Sequence, residues 1–301
     1  MRTPQPGIFA VGTAAHCFLE LSARPGASPR ELVHALAAIE EPRTTVGGVN
    51  LVVGVRPSAW AQVAPEHLPL GAADFASPVV GPDGFTMPAT QRDAWVWVAG
   101  AATDLVFDVA TGILAATRPV AELALEVTGW SYRHSRDLTG FEDGTENPSL
   151  DEAVGVVAVP PGEPGEGSSV VLLQQWVHLA DAWTSLSERE QEDVIGRTKP
   201  DSVELADDVK PADSHVARTV LEVGGEELDI FRRNVPYGTV REHGTHFVGF
   251  SHDQTRLSRM LERMAGVGDG VRDALTRYTT PLSGAYYVVP AVETWREVAS
   301  G

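Results

Sequence analysis

The sequence predicts an α+β chain built as two similar halves. Three observations carry this: apolar runs of strand length recur, helix-start signals stand between them, and one order of elements occurs twice. Residues 13–22 run apolar and are expected as a strand. Ser28-Pro29-Arg30-Glu31 then opens a helix, with Ser28 as cap, Pro29 at the first position and Glu31 completing a capping box. Leu32, Leu36 and Ile39 give that helix one apolar face. Residues 49–55 form a second strand, and 56–92, rich in Pro, Gly and Ala, hold only short elements. A strand at 94–98, a helix near 104–116 and a strand near 123–127 complete the first half.

The second half repeats this rhythm. Residues 170–179 are expected as a long strand, and Ser187-Glu188-Arg189-Glu190 is another capping box, opening a helix to about Arg197. Strands follow at 228–232 and 245–251, helices near 254–264 and 271–277, and a last strand at 286–289. Strand, helix, strand, then strand, helix, strand is the order of a ferredoxin-like unit. The expected fold is therefore two tandem ferredoxin-like units with antiparallel sheets, residues 1–127 and 128–301.

Composition narrows the function classes. The 301 residues carry 23 basic against 41 acidic side chains, a formal net charge of -18. That disfavours nucleic acid or an anionic membrane as main partner, because both reward a basic surface. Cys17 is the single cysteine, so no intrachain disulfide forms, and its apolar neighbours point to an inert buried thiol. No uncharged apolar run reaches membrane-spanning length. The N-terminus has neither a basic region followed by an apolar core nor a twin-Arg pair, so the chain is expected to be mature and cytoplasmic.

Chemistry concentrates in four segments. Gly140-Phe141-Glu142-Asp143-Gly144-Thr145-Glu146-Asn147-Pro148 packs glycines, acids and a proline into nine residues. By composition it is an acidic turn. Asp213-Ser214-His215-Val216-Ala217-Arg218 sets a His at a helix start. In Ile230-Phe231-Arg232-Arg233-Asn234, strand alternation sends 232 and 234 to one face and 233 to the other. Thr245-His246-Phe247-Val248-Gly249-Phe250 is a further strand. Of the nine His, His243, His246 and His252 lie close in sequence, but without Cys they are not expected to form a dedicated zinc site. His134 stands in a basic stretch that reads as a surface patch or a pocket rim.

The nine-residue string resembles the GXXDG signature of dye-decolorising peroxidases, and the other segments resemble the same family. The resemblance is densest at these four segments, runs from about residue 85 to 290, and is closest to the smaller bacterial B-type subgroup. It implies ferredoxin-like units of the dimeric α/β-barrel type, with haem b (iron protoporphyrin IX) in the C-terminal unit. It implies His215 as axial ligand of the haem iron, and Asp143, Arg232 and Asn234 as the distal catalytic group. Asp273 is the best match for the carboxylate behind His215, with Asp269 the alternative. Thr245 and Phe247 are expected to line the pocket. Arg218, three residues beyond His215, would meet a haem propionate if the segment is helical.

The activity implied is a haem peroxidase. It reduces hydrogen peroxide through a ferryl intermediate and oxidises dyes, phenolic compounds or other small reductants by one-electron steps. The alternative on the same pocket is a haem-handling or iron-releasing protein. Hydrogen peroxide and small reductants are the implied partners, in a homo-oligomer. Some members carry a C-terminal tail that targets an encapsulin shell, and no such tail is expected at Gly301.

Overall fold

The computed structural model describes residues 2–39, 48–133, 136–223 and 226–300; His134 lies outside them. The first half runs β1 (Ala15–Ala23), α1 (Pro29–Ala37), β2 (Val49–Val55), α2 (Pro57–Val63), the short hairpin β3 (Val79–Val80) and β4 (Thr86–Met87), β5 (Ala94–Gly100), α3 (Thr103–Thr117) and β6 (Ala121–Trp130). The second half opens with α4 (Leu150–Val157), β7 (Ser169–His178), α5 (Ala180–Thr184), α6 (Glu188–Ile195) and α7 (His215–Thr219). It continues with the hairpin β8 (Glu222–Val223) and β9 (Glu226–Glu227), then β10 (Phe231–Arg232), β11 (Val235–Gly238) and β12 (His243–Ser251). It closes with α8 (Gln254–Met264), β13 (Thr279–Pro281), β14 (Ala285–Val289) and α9 (Val292–Ser300).

The main sheet runs β10-β12-β11-β6-β1-β5-β2-β14-β7-β13, and β12 also pairs with β7. That extra pairing closes β11, β6, β1, β5, β2, β14, β7 and β12 into a barrel of antiparallel neighbours. Each half supplies a contiguous set of four staves, β6-β1-β5-β2 and β14-β7-β12-β11, in the strand order of a ferredoxin-like unit. The α+β ferredoxin-like class expected from the sequence is the class found. The halves join where β11 meets β6 (Tyr237 opposite Gly129) and where β14 meets β2 (Val288 opposite Val55).

Alternation along the staves sorts side chains into three layers. Phe18, Val52, Trp95, Trp97, Val171, Val248, Phe250 and Tyr287 fill the barrel. Outside the first half, Cys17, Leu19 and Leu21 of β1 and Val96 and Val98 of β5 meet Leu32, Val33 and Leu36 of α1 and Val106 and Ile113 of α3. Outside the second half, Val170, Leu172 and Trp176 of β7 meet Leu257, Met260 and Leu261 of α8. Fully burying one such aliphatic or aromatic side chain stabilises the fold by roughly 1.5–3 kcal/mol.

Both expected capping boxes form: Ser28 accepts from the Glu31 amide, and Ser187 from the Glu190 amide. Several elements differ from expectation, α4 and β11 among them, which were not expected from the sequence. The strand expected at 228–232 shrinks to Phe231–Arg232, because Leu228 and Ile230 turn into a cavity wall. The helix expected at 271–277 is a 3-10 turn over Ala274–Arg277, capped by the Asp273 carboxylate. The last strand is followed by α9, whose Trp295 packs on Trp60 at 5.9 Å.

Candidate active site

Between the outer face of β7 and β12 and the layer of α7, α8 and residues 137–147 lies a cavity. It encloses about 1380 Å³ of empty space, its mouth included.

The acidic string forms one rim. Gly140 and Gly144 hold φ near +92° and +82°, which glycine adopts without steric cost. Thr139 donates its amide and hydroxyl to the Asp137 carboxylate, so the Asp closes a turn with its own side chain. Phe141 anchors the loop inward against Trp183. Asp143 lines the cavity and accepts from Asn234 Nδ2 at 3.1 Å. Arg232 and Asn234 line the same space, while Arg233 turns away: it donates to the carbonyls of Ile8 and Ala10 and lies 4.9 Å over the Trp97 ring. The Arg232 guanidinium makes no hydrogen bond or ion pair among the described residues.

His215 enters from α7, which is capped by buried Ser214. Its Nδ1 lies 2.7 Å from Asp273 Oδ2, and the other Asp273 oxygen accepts the Leu275 amide. Asp273 is fully buried, and the Ala274 amide donates to the Asp213 carbonyl, which ties the backbone beside Asp273 to the backbone just before α7. With Nδ1 committed, Nε2 is the nitrogen left for the cavity. Thr245 and Phe247 also line it; Thr245 Oγ1 lies 3.1 Å from His178 Nε2. Gly249 makes room for Phe247, since a Cβ there would meet that ring at 2.8 Å.

The family model described as Dyp-type peroxidase, C-terminal, matches residues 134–294. A dye-decolorising peroxidase of Rhodococcus erythropolis is 37% identical over 256 residues, covering 83% of this chain and 74% of that protein. The chain belongs to the dye-decolorising peroxidase family. It is accordingly an enzyme of the peroxidase class. Among solved structures, a variant of Rhodococcus jostii RHA1 DypB in complex with haem has TM-score 0.89 at 33% identity, covering 99% of this chain and 97% of that one. The encapsulated DyP-type peroxidase from Mycobacterium smegmatis has TM-score 0.86 at 31% identity, covering 99% and 98%.

Within this dye-decolorising peroxidase, one expected site residue is misplaced. Arg218 does not line the cavity. It is buried, donates to the Arg263 carbonyl, and holds the Asp269 carboxylate with contacts of 3.0 and 2.8 Å. The helix bearing it is five residues long, and its third step from His215 points into the protein. This engagement also separates the two candidate acids: Asp269 serves Arg218, and Asp273 serves His215. The three neighbouring His do not converge. His246 is buried in the barrel against Phe18 at 4.3 Å, His252 Nδ1 lies 2.9 Å from the Val156 carbonyl, and His243 contacts the rim through His178.

Several lining residues were not anticipated. Gln174, Trp176 and His178 share one face of β7, and strand alternation was the signal that could have found them. Arg197, nearly buried, pairs with Glu146 and Glu204; it follows the α6 cap Gly196, where nothing local marks it. Asp137 also lines the cavity. Burial, with the Asp143 carboxylate adding, pushes its pKa up to about 6 against the opposing Thr139 bonds. Burial, then His243, pulls His178 down to about 4. A shallower groove shares Glu146 and Glu227 with the cavity and adds Glu204, Asp207 and Glu222, so this approach is acidic. Burial, then the carboxylates of Asp229, Glu146, Glu222 and Glu204, raise the pKa of Glu227.

Proposed function

We propose that the chain is a haem peroxidase that reduces hydrogen peroxide at Asp143, Arg232 and Asn234 and oxidises small reductants, dyes and phenols among them, one electron at a time. One observation carries the reading. An imidazole backed by a buried carboxylate shares a single cavity with a carboxylate, a guanidinium unpaired among the described residues, and an amide.

The residues present fit haem b. His215 keeps Nε2 free, and an imidazole nitrogen with a carboxylate behind it is the donor a peroxidase iron takes. Leu221, Ile230, Phe247, Met260 and Met264 offer apolar walls to a macrocycle. Gln174 Nε2 and Asn234 Oδ1 are buried there without a partner among the described residues: a donor for a carboxylate, and an acceptor for an O–H. The haem carried by the DypB neighbour supports the same cofactor here. Once bound, haem supplies the redox chemistry.

The protein supplies the rest. His215 holds the cofactor, and Asp273 accepts the proton on its Nδ1, which makes the ring a stronger donor. Asp143 takes the proton from one peroxide oxygen and returns it to the other. Arg232 keeps a permanent positive charge and several donors where negative charge develops on oxygen. Asn234 steadies Asp143 through Nδ2 and offers Oδ1 to a peroxide or water hydrogen.

Absorption spectroscopy tests this. Haem titrated into purified protein should give a one-to-one histidine-ligated spectrum, and one equivalent of peroxide should convert it rapidly. A bound haem that peroxide leaves unchanged would overturn the peroxidase reading in favour of haem handling.

A further inference from the structure

We infer that Asn147 is a positioning residue that fixes the backbone of Arg232 and so sets where its guanidinium stands relative to Asp143; this rests on the peroxidase reading above. The argument begins with β10. Among the described residues it is the outermost strand of the sheet, paired only with β12, through Phe231 opposite Phe250 and Arg232 opposite Gly249. An edge strand leaves backbone N–H and C=O groups open on its far side. At Arg232 one side chain takes both. The Arg232 amide donates to Asn147 Oδ1 at 2.9 Å, and Asn147 Nδ2 donates to the Arg232 carbonyl at 2.8 Å. A carboxamide presents a donor and an acceptor side by side, as a peptide does, so Asn147 stands in for a partner strand one residue long.

That clamp matters because little else joins the two walls. Among the described residues no backbone–backbone hydrogen bond links 137–148 to 228–235. The hydrogen bonds between them are the two from Asn147 and the one from Asn234 to Asp143. The Asp143 side is stiff by construction. The Asn147 amide donates to the Gly144 carbonyl at 3.0 Å, closing a turn that begins one residue after Asp143. Gly144 has a positive φ, and a Cβ there would come within 3.2 Å of Asn147 Nδ2. Pro148 restricts Asn147 itself to extended backbone. Asp143 and the clamp therefore move as one body, and the clamp carries Arg232 with them.

The residue type follows from the geometry. Asp at 147 would accept from the amide but leave the carbonyl unpaired, Gln would be one methylene too long, and Ala would do neither. The Arg232 guanidinium has no partner among the described residues, so within them its stem is placed by the backbone. Misplacing a reacting group by about 1 Å costs on the order of 10²-fold in rate.

The test compares Asn147→Ala and Asn147→Asp with the parent, using amide hydrogen exchange at residue 232 and the stopped-flow reaction of haem-loaded protein with peroxide. Exchange at 232 should accelerate by about tenfold or more in Asn147→Ala, with or without haem, as an edge amide loses its acceptor. The peroxide reaction should slow by about tenfold or more, with the KM for a reducing dye unchanged. Pairing Asn147→Ala with Asn234→Ala should cost less than the product of the single losses, because both act on one separation. Unchanged exchange at 232, or faster exchange with a normal peroxide rate, overturns the inference. If Asn147→Ala fails to fold, Asn147→Asp decides by the peroxide rate and KM alone. A haem-loaded parent that peroxide leaves unchanged sinks the peroxidase reading instead, and leaves the exchange result standing as a measure of the clamp.

Discussion

The two halves share one strand order and use it differently. In the first half α1 and α3 lie flat on the sheet, and Leu32, Leu36, Val106 and Ile113 fill the space between. In the second half α8 packs on part of β7, but the rest of the covering layer stands off, and Trp176, Thr245 and Phe247 face a cavity. The elements responsible are short: five-residue α7, two-residue β10 and the Gly140–Gly144 loop. The scaffold is stabilised where helices meet strands directly, and the site is opened where they do not. Substitutions in the first half should therefore read out as stability, and those in the second as cofactor binding and rate.

The largest effect expected is at His215. His215→Ala should lose or scramble haem binding in a titration while the apoprotein melts close to the parent; an unaltered histidine-ligated spectrum would break the assignment. Leu36→Ala, in the closed half, should cost about 2–5 kcal/mol in denaturant unfolding, with haem bound normally once folded. A loss under about 1 kcal/mol would mean that α1 is not packed as described. Arg232→Leu should slow the peroxide reaction about a hundredfold, near 3 kcal/mol, with haem retained. Asp143→Ala should slow it no more than that, because water can relay a proton. Abolition by Asp143→Ala beside a normal Arg232→Leu would reverse the ranking.

The smallest effect spans the two halves through pH. Burial pulls His16 of the first half to about 4, and His178 and His246 of the second to about 4 and 3. Below the unfolded value of 6.5 the unfolded chain binds protons that these rings refuse, so stability falls as pH drops from about 6.5 toward 4. Asp137 acts oppositely: with its pKa raised to about 6, its stabilising share is present below the ordinary carboxyl range and is lost as pH rises through 6. Glu20 and Glu227, also raised, act with Asp137. Carboxylates held low by hydrogen bonds and Arg partners, Asp74 and Asp83 among them, act with the three rings. The rings and these carboxylates outweigh the raised carboxyls, so the urea midpoint of the apoprotein should decrease from pH 7 to pH 4.5. His246→Phe should flatten that slope; a steeper one would contradict it.

Much of this was legible because it is local. A capping box lies within four residues, and Ser28 with Glu31 and Ser187 with Glu190 each marked a helix start. Alternation put Arg232 and Asn234 on one face and Arg233 on the other without any tertiary knowledge. The same signals were present and passed over at Ser149 and Glu152, whose capping box opens α4, and at Gln174, Trp176 and His178. Other features had no local trace. Nothing near His215 says that its partner lies 58 residues on at Asp273 rather than at Asp269. The helical spacing that suggested Arg218 holds only where a helix runs on. Leu228 and Ile230 have strand composition, yet burial in a cavity wall decided their path.

The closed barrel also sets an order of events during synthesis. Its first four staves are complete by Trp130, yet β2 keeps an open edge until Ala285–Val289 arrives to pair with it. Such distant pairings close slowly, and an unpaired strand edge invites association with another chain meanwhile. Until more than 150 further residues have been translated, that β2 edge has no partner strand from the second half.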